Sequence, residues 1–190
     1  MRVITGSAKG HHLKGPKGTG TRPMLDSVKE SLFSILNGYG ALHGRILDLY
    51  AGTGSIGIEG LSRGMAWADF VEQKSAECGV IKENLTHTKL IQRAKVHQLP
   101  VARFLQHHKH GQRYDVIMMD PPYADPHIHD TVAQVIDADI LVAGGIFIIG
   151  HSIHVVFEEH YGIYSRCDFR QFGGSCFSLY TTPDTEGAEA

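Results

Sequence analysis

Apolar positions in this chain fall into short continuous runs separated by longer stretches with helical spacing. Residues 46–50, 67–72, 94–99, 114–119 and 145–150 are runs of strand length, and the fourth, Tyr114-Asp115-Val116-Ile117-Met118-Met119, is nearly all apolar. A strand covered on both faces has that composition. Between the runs, residues 55–64, about 74–87 (Cys78, Ile81 and Leu85 inward), 101 to about 108 and about 127–136 (Ile128, Val132, Val135 and Ile136) carry the helical period. This alternation predicts an α/β fold with a mostly parallel, doubly wound sheet and right-handed crossovers.

The two ends break the rhythm. Residues 163–169 and 176–182 are strand-like and joined through Phe172-Gly173-Gly174, which predicts an antiparallel hairpin added to the sheet. Residues 1–20 alternate β-like pieces, 2–5 and 12–14, with Gly6, Gly10, Gly15, Gly18 and Gly20, which predicts a small β-hairpin arm laid against the body. A covering helix follows over residues 21–38, with Pro23 in its first turn and Leu25, Val28, Leu32, Ile35 and Leu36 on one face. One domain, residues 1–182, accounts for the whole pattern. Residues 183–190 are small and acidic and predict a tail without structure.

Composition narrows the class without naming a function. The chain has 190 residues, 42% hydrophobic and 20% charged, the profile of a water-soluble globule large enough for a full core. Its start lacks an apolar signal core, and no run approaches the roughly 20 residues that span a bilayer, so a cytoplasmic protein without a membrane partner is expected. Cys78, Cys167 and Cys176 are odd in number and scattered, and read as small buried residues. Thirteen histidines invite a metal, yet His11-His12, His107-His108-Lys109-His110 and His127-Ile128-His129 lack the spacing of a closed site, so none is expected. A net charge of −2 gives no global attraction for nucleic acid. Locally the balance differs: from Met1 to Leu25 the charged side chains are Arg2, Lys9, Lys14, Lys17 and Arg22, with no acid among them. A basic arm on a near-neutral body is a footprint for phosphates.

Two strand ends carry the candidate chemistry. The first run leads into Asp48-Leu49-Tyr50-Ala51-Gly52-Thr53-Gly54-Ser55-Ile56-Gly57, a G-x-G-x-x-G spacing between strand and helix. Glycines there let backbone N–H groups and a helix N-terminus approach a ligand. Asp48 either caps those amides or faces a nucleotide-like cofactor. Glu72 ends the second strand at the spacing expected of a ribose-binding acid. Nicotinamide and S-adenosyl-L-methionine both satisfy this pattern. The second motif, Asp120-Pro121-Pro122-Tyr123, ends the fourth strand and would share the carboxyl edge of the sheet with the glycine loop. Its carbonyls and carboxylate are acceptors for the hydrogens of a planar exocyclic amine, and Tyr123 offers a ring for stacking. Such acceptors favour the state in which the amine lone pair can attack. No nicotinamide chemistry needs this tetrapeptide.

Asp120–Tyr123 resembles the catalytic motif of amino-group methyltransferases acting on nucleic-acid bases. Together with Thr21-Arg22-Pro23, Asp26-x-Val28-Lys29-Glu30-x-Leu32-Phe33, Asp48–Ser55, Gly57-Ile58-Glu59 and Leu61-Ser62-Arg63-Gly64, the chain resembles the RsmD-type guanine-N2 methyltransferases of bacterial 16S ribosomal RNA, from Arg2 to about Thr181. The resemblance implies a Rossmann-like class I methyltransferase fold with an antiparallel C-terminal strand. It implies S-adenosyl-L-methionine held by Asp48, Tyr50, Ala51, Gly52, Thr53, Gly54 and Glu72, with Pro100 and Val101 beside the adenine. Asp120, Pro121, Pro122 and Tyr123 would be catalytic. Arg22, at the mouth of the site, and Lys9, Lys14 and Lys17 would meet ribosomal RNA, in an assembling small subunit, with the enzyme a monomer. Pro100 departs from the pattern, because such enzymes carry Asp or Asn there. A DNA adenine-N6 methyltransferase and a nicotinamide-dependent reductase remain alternatives at this point.

Overall fold

The computed structural model describes residues 1–16, 24–122 and 125–183. The expectations placed on Lys17, Arg22, Pro23 and Tyr123, and on the tail from residue 184, lie outside them. The elements run α1 (Asp26–Gly38), β1 (Arg45–Leu49), α2 (Ser55–Ser62), β2 (Trp67–Glu72), α3 (Ser75–His87), β3 (Ala94–Gln98), α4 (Val101–His108), β4 (Tyr114–Met119), α5 (Ile128–Ala138), β5 (Leu141–Ser152), β6 (His160–Tyr161), β7 (Tyr164–Phe172) and β8 (Ser175–Thr181).

Among the described residues these strands form one sheet in the order β3-β2-β1-β4-β5-β8-β7-β6. The first five pair in parallel, and β8 enters antiparallel between β5 and β7. The order reverses between β1 and β4, so the loops after these two strands open at one crevice, where ligands bind in sheets of this kind. Helices cover both faces, which is why the central strands are apolar on both sides. One core cluster joins β1, β2, β4 and β5 to α1–α3, through Ile46, Phe70, Met118 and Ile148. The other joins the same strands to α4 and α5, through Leu47, Val71, Ile117 and Ile149. No described helix is long and apolar enough to cross a membrane.

Three expectations needed revision in extent. The arm is a hairpin, but a short one: Arg2 and His12 form an antiparallel bridge, flanked by Val3 N–H to the His11 carbonyl at 3.0 Å and Leu13 N–H to the Met1 carbonyl at 3.1 Å. Beyond it the amides turn to α2: Ile4 and Thr5 donate to the Glu59 carboxylate, at 2.8 and 3.0 Å, and Ala8 to Ser62 Oγ at 3.0 Å. Second, α1 starts at Asp26, leaving Leu25 extended at the N-cap (φ −63°, ψ 144°) and 61% exposed. The place expected for it on the inner face goes in part to Lys29, which is only 1% exposed. Third, β5 runs from Leu141, well before the expected residue 145, with a register shift between the Tyr114 and Val116 pairings.

Candidate active site

Main-chain geometry builds the glycine loop before any ligand is considered. Tyr50 leaves β1 at φ 60°, a left-handed conformation that a non-glycine residue holds only under constraint. Its hydroxyl pairs with Thr131 Oγ1 at 3.2 Å. Ala51 N–H returns to the Val71 carbonyl at 3.1 Å, and Gly54 N–H closes a turn onto the Ala51 carbonyl at 2.7 Å. Gly54 is the N-cap of α2 at φ 75°. A Cβ there would meet Ile81 and Phe70 at 3.1–3.3 Å, so this glycine serves the turn and the packing beneath it. The sequence had suggested that it leaves room for the ligand above.

Three carboxylates converge on this edge. Asp48 is 3% exposed, and its Oδ2 accepts the Gly57 N–H at 2.9 Å, fixing the first turn of α2. Burial pushes its carboxyl up to about 8; the Gly57 N–H opposes the shift, and Asp120 and Glu72 add to it. Glu72 accepts the Gly52 N–H on Oε2 at 3.0 Å and the Lys74 N–H on Oε1 at 2.8 Å, tying the loops after β1 and β2 together. Asp120, directly after β4, is held up at about 6 by burial. Its Oδ1 is buried without a hydrogen-bond partner. None of the three receives a Lys or Arg side chain among the described residues.

The remaining expected positions differ in what they offer. Pro121 is buried and Pro122 exposed, with the Pro122 carbonyl accepting the Asp125 N–H at 2.8 Å. Pro100 is the exposed N-cap of α4, two residues beyond Gln98, which pairs with Glu72. That puts it on the cofactor-side edge. Val101 points its side chain into the second core cluster, which leaves only its backbone for a ligand. In the arm Lys9 is exposed, while Lys14 reaches Glu83 at 2.7 Å and Arg2 reaches Asp26 at 3.2 Å. Acids on α3 and α1 thus offset part of the arm's charge. No cluster among the described residues could hold a metal ion.

Gly150 was not singled out in the sequence, because nothing in a strand-like run marks one glycine as special. It lies on β5 beside the end of β4, where a Cβ would stand 3.0 Å from Asp120 Cγ and closer still to Oδ1. Only a hydrogen there leaves the carboxyl its place. Gly150→Ala is expected to displace Asp120 by a fraction of an ångström and slow catalysis on the order of tenfold, short of the ~10²-fold that a full ångström can cost. Unchanged kcat in a folded Gly150→Ala protein would show that the carboxyl has room to move.

Comparison with known proteins identifies the family of the chain and its fold. The family model described as "Conserved hypothetical protein 95" matches residues 1–181. "Putative rRNA methyltransferase YlbH" of Bacillus subtilis is 36% identical over 165 residues, 85% of this chain and 88% of its own length. Ribosomal RNA small subunit methyltransferase D of Haemophilus influenzae is 34% identical over 125 residues, 65% of this chain and 64% of its own length. Among solved structures, "Putative methyltransferase yhhF" of Escherichia coli matches with a TM-score of 0.85 at 26% identity, covering 96% of this chain and 98% of that one.

Proposed function

This chain belongs to the RsmD-type family of ribosomal RNA methyltransferases, and we propose that it transfers a methyl group from S-adenosyl-L-methionine to the exocyclic N2 amine of a guanine in small-subunit ribosomal RNA. The observation that carries this reading is Asp120 Oδ1, a buried acceptor with no partner, placed at the carboxyl edge beside the glycine loop. A buried polar atom without a partner costs free energy unless a ligand supplies the missing donor. An amine hydrogen is such a donor.

The electrostatics favour a sulfonium cofactor over a nicotinamide one. Glu72 and Asp120 put carboxylates on this edge, beside an Asp48 carboxyl that burial holds mostly protonated at neutral pH, and the Gly52 N–H that would greet a pyrophosphate is already given to Glu72. A dianionic pyrophosphate would meet acid where it needs donors. S-adenosyl-L-methionine, with its sulfonium and ammonium, meets complementary charge, and supplies an electrophilic methyl group. Both Glu72 oxygens already accept backbone N–H groups, so the ribose hydroxyls would use their remaining lone pairs. Asp48 reaches the ligand indirectly, by holding the first turn of α2 in place.

Asp120 then orients the attacking amine. Its Oδ1 accepts one N2 hydrogen, and the acceptors of the Asp-Pro-Pro turn hold the base so that the nitrogen lone pair faces the methyl carbon. S-adenosyl-L-methionine would supply the electrophilic methyl group and depart as the neutral thioether, while Asp120 would stabilise the positive charge on the methylated amine and take up the proton it releases. On the sequence alone, base stacking is proposed for Tyr123, a place at the mouth of the site for Arg22, and phosphate contacts for Lys9, Lys14 and Lys17. The substrate is RNA of an assembling small subunit, met in the cytoplasm by a monomeric enzyme.

The test is incubation of the purified chain with methyl-labelled cofactor and small-subunit ribosomal RNA, followed by nucleoside digestion. N2-methylguanosine is the expected product. N6-methyladenosine in DNA, or binding of NADH in preference to S-adenosylhomocysteine, would reject the reading. For the arm, Lys9→Ala with Lys17→Ala should weaken RNA binding and lower the slope of log K against log salt by about 0.7–0.9 per lost phosphate contact. An unchanged slope would reduce the arm to a cover over the sheet.

A further inference from the structure

Asn84 lies in α3, 1% exposed, and neither the cofactor reading nor the RNA reading uses it. Its carboxamide makes three hydrogen bonds to two segments remote in sequence. Oδ1 accepts the Lys14 N–H at 2.8 Å, and Nδ2 donates to the Lys14 carbonyl at 3.2 Å and to the Thr53 carbonyl at 3.0 Å. Lys14 belongs to the arm; Thr53 is in the turn of the glycine loop. One buried side chain therefore grips both.

The Thr53 carbonyl and the Gly54 N–H belong to one planar peptide unit. That N–H is bonded to the Ala51 carbonyl at 2.7 Å, so Asn84 and Ala51 fix one plane from its two ends. A second link runs beside the first: Lys29 Nζ donates to the Arg2 carbonyl at 2.7 Å and to Ser55 Oγ at 3.0 Å. An asparagine serving only as a staple for the arm would have no need of the Thr53 bond.

We infer that Asn84 is a positioning residue, which sets the Thr53–Gly54 peptide of the cofactor loop according to how the N-terminal arm is docked. Arm docking and cofactor affinity are then linked. The inference rests on the methyltransferase reading for the identity of the ligand, and on geometry alone for the link itself.

Three variants separate the link from a merely structural role, with S-adenosylhomocysteine as the calorimetric probe. Asn84→Asp keeps the acceptor for Lys14 N–H and removes both donated bonds. Lys14→Pro, at the surface and away from the loop, removes the N–H that Oδ1 accepts together with the ammonium that reaches Glu83. Lys14→Ala removes the ammonium and keeps that N–H. Loss of a neutral hydrogen bond corresponds to about two- to tenfold in affinity. The first two variants should each weaken binding by that factor, and Lys14→Ala should leave it unaltered. Unchanged affinity in Lys14→Pro, whatever its melting temperature, overturns the link.

If the wild-type chain binds no S-adenosylhomocysteine, the methyltransferase reading has failed and hydrogen exchange decides the link without a ligand. Amides of the arm and of residues 52–55 should then lose protection together in Lys14→Pro. Faster exchange confined to the arm would make Asn84 a staple and nothing more.

Discussion

Replacing Asp120 by Asn is expected to lower the methyl-transfer rate by about 10²–10³, the usual cost of one preorganised electrostatic partner, while cofactor affinity changes little. Asparagine keeps the shape of the side chain. It loses the negative charge that faces the amine as positive charge develops there. Asp120 Oδ1 has no other bond to surrender, so the loss should fall on kcat. The pH dependence gives an independent check. Burial raises this carboxyl to about 6, and in the proposed mechanism the active form is the carboxylate. The wild-type rate should therefore be level above pH 7 and fall toward tenfold per unit below about 6. That limb should be absent from the Asn variant. A falling limb retained in Asp120→Asn would assign it to another group, and full activity would remove Asp120 from the mechanism.

The parts of this molecule legible in its sequence are those governed by local pattern. β2, α4 and β4 coincide with their expected bounds, because each is a single periodic run ended by a Pro, a Gly or a polar cluster. The motifs at residues 48–57 and 120–122 reached the same sheet edge because parallel topology sends both strand ends there. What stayed hidden depends on partners remote in the chain. Nothing around Lys29 says that its ammonium is buried, since Glu59, which faces it at 3.3 Å, lies a whole element away. Asn84 reads as one more polar helix residue until Lys14 and Thr53 are seen on either side of it. The arm showed its charge and its β-like pieces, but not that the Ile4, Thr5 and Ala8 amides beyond its short hairpin are given to α2 side chains. β6, two residues long, carries no period at all.

Glu59→Gln should destabilise the protein by about 3–5 kcal/mol, the cost of breaking a buried ion pair by removing one charge. Glu59 is 0% exposed and faces only donors: Ile4 N–H and Lys29 Nζ on Oε2, Thr5 N–H and Arg63 Nε on Oε1. Glutamine fits the space, but either orientation of its amide turns an NH₂ group against two of those donors. With the NH₂ in the Oε2 place, Lys29 is left buried with only the Arg2 carbonyl and Ser55 Oγ as acceptors; with it in the Oε1 place, Thr5 N–H and Arg63 lose theirs and Lys29 keeps a neutral oxygen in place of a charge. Burial already holds the Lys29 ammonium below its ordinary pKa despite the pull of Glu59, so losing that charge makes its protonated form costlier still. An apolar double replacement, Lys29→Met with Glu59→Leu, should not rescue stability as it can at an isolated buried pair, because the Ile4 and Thr5 amides lose their acceptors too. Lys29→Met alone should cost less than Glu59→Gln, since Glu59 keeps Arg63 and both amides. Urea unfolding measures all three, and limited proteolysis within residues 1–16 should quicken in step with the loss. A midpoint shift worth less than about 1 kcal/mol in Glu59→Gln would mean that the arm is held by its apolar contacts, Val3, Ala8 and Leu13, and that the charge network is incidental to it.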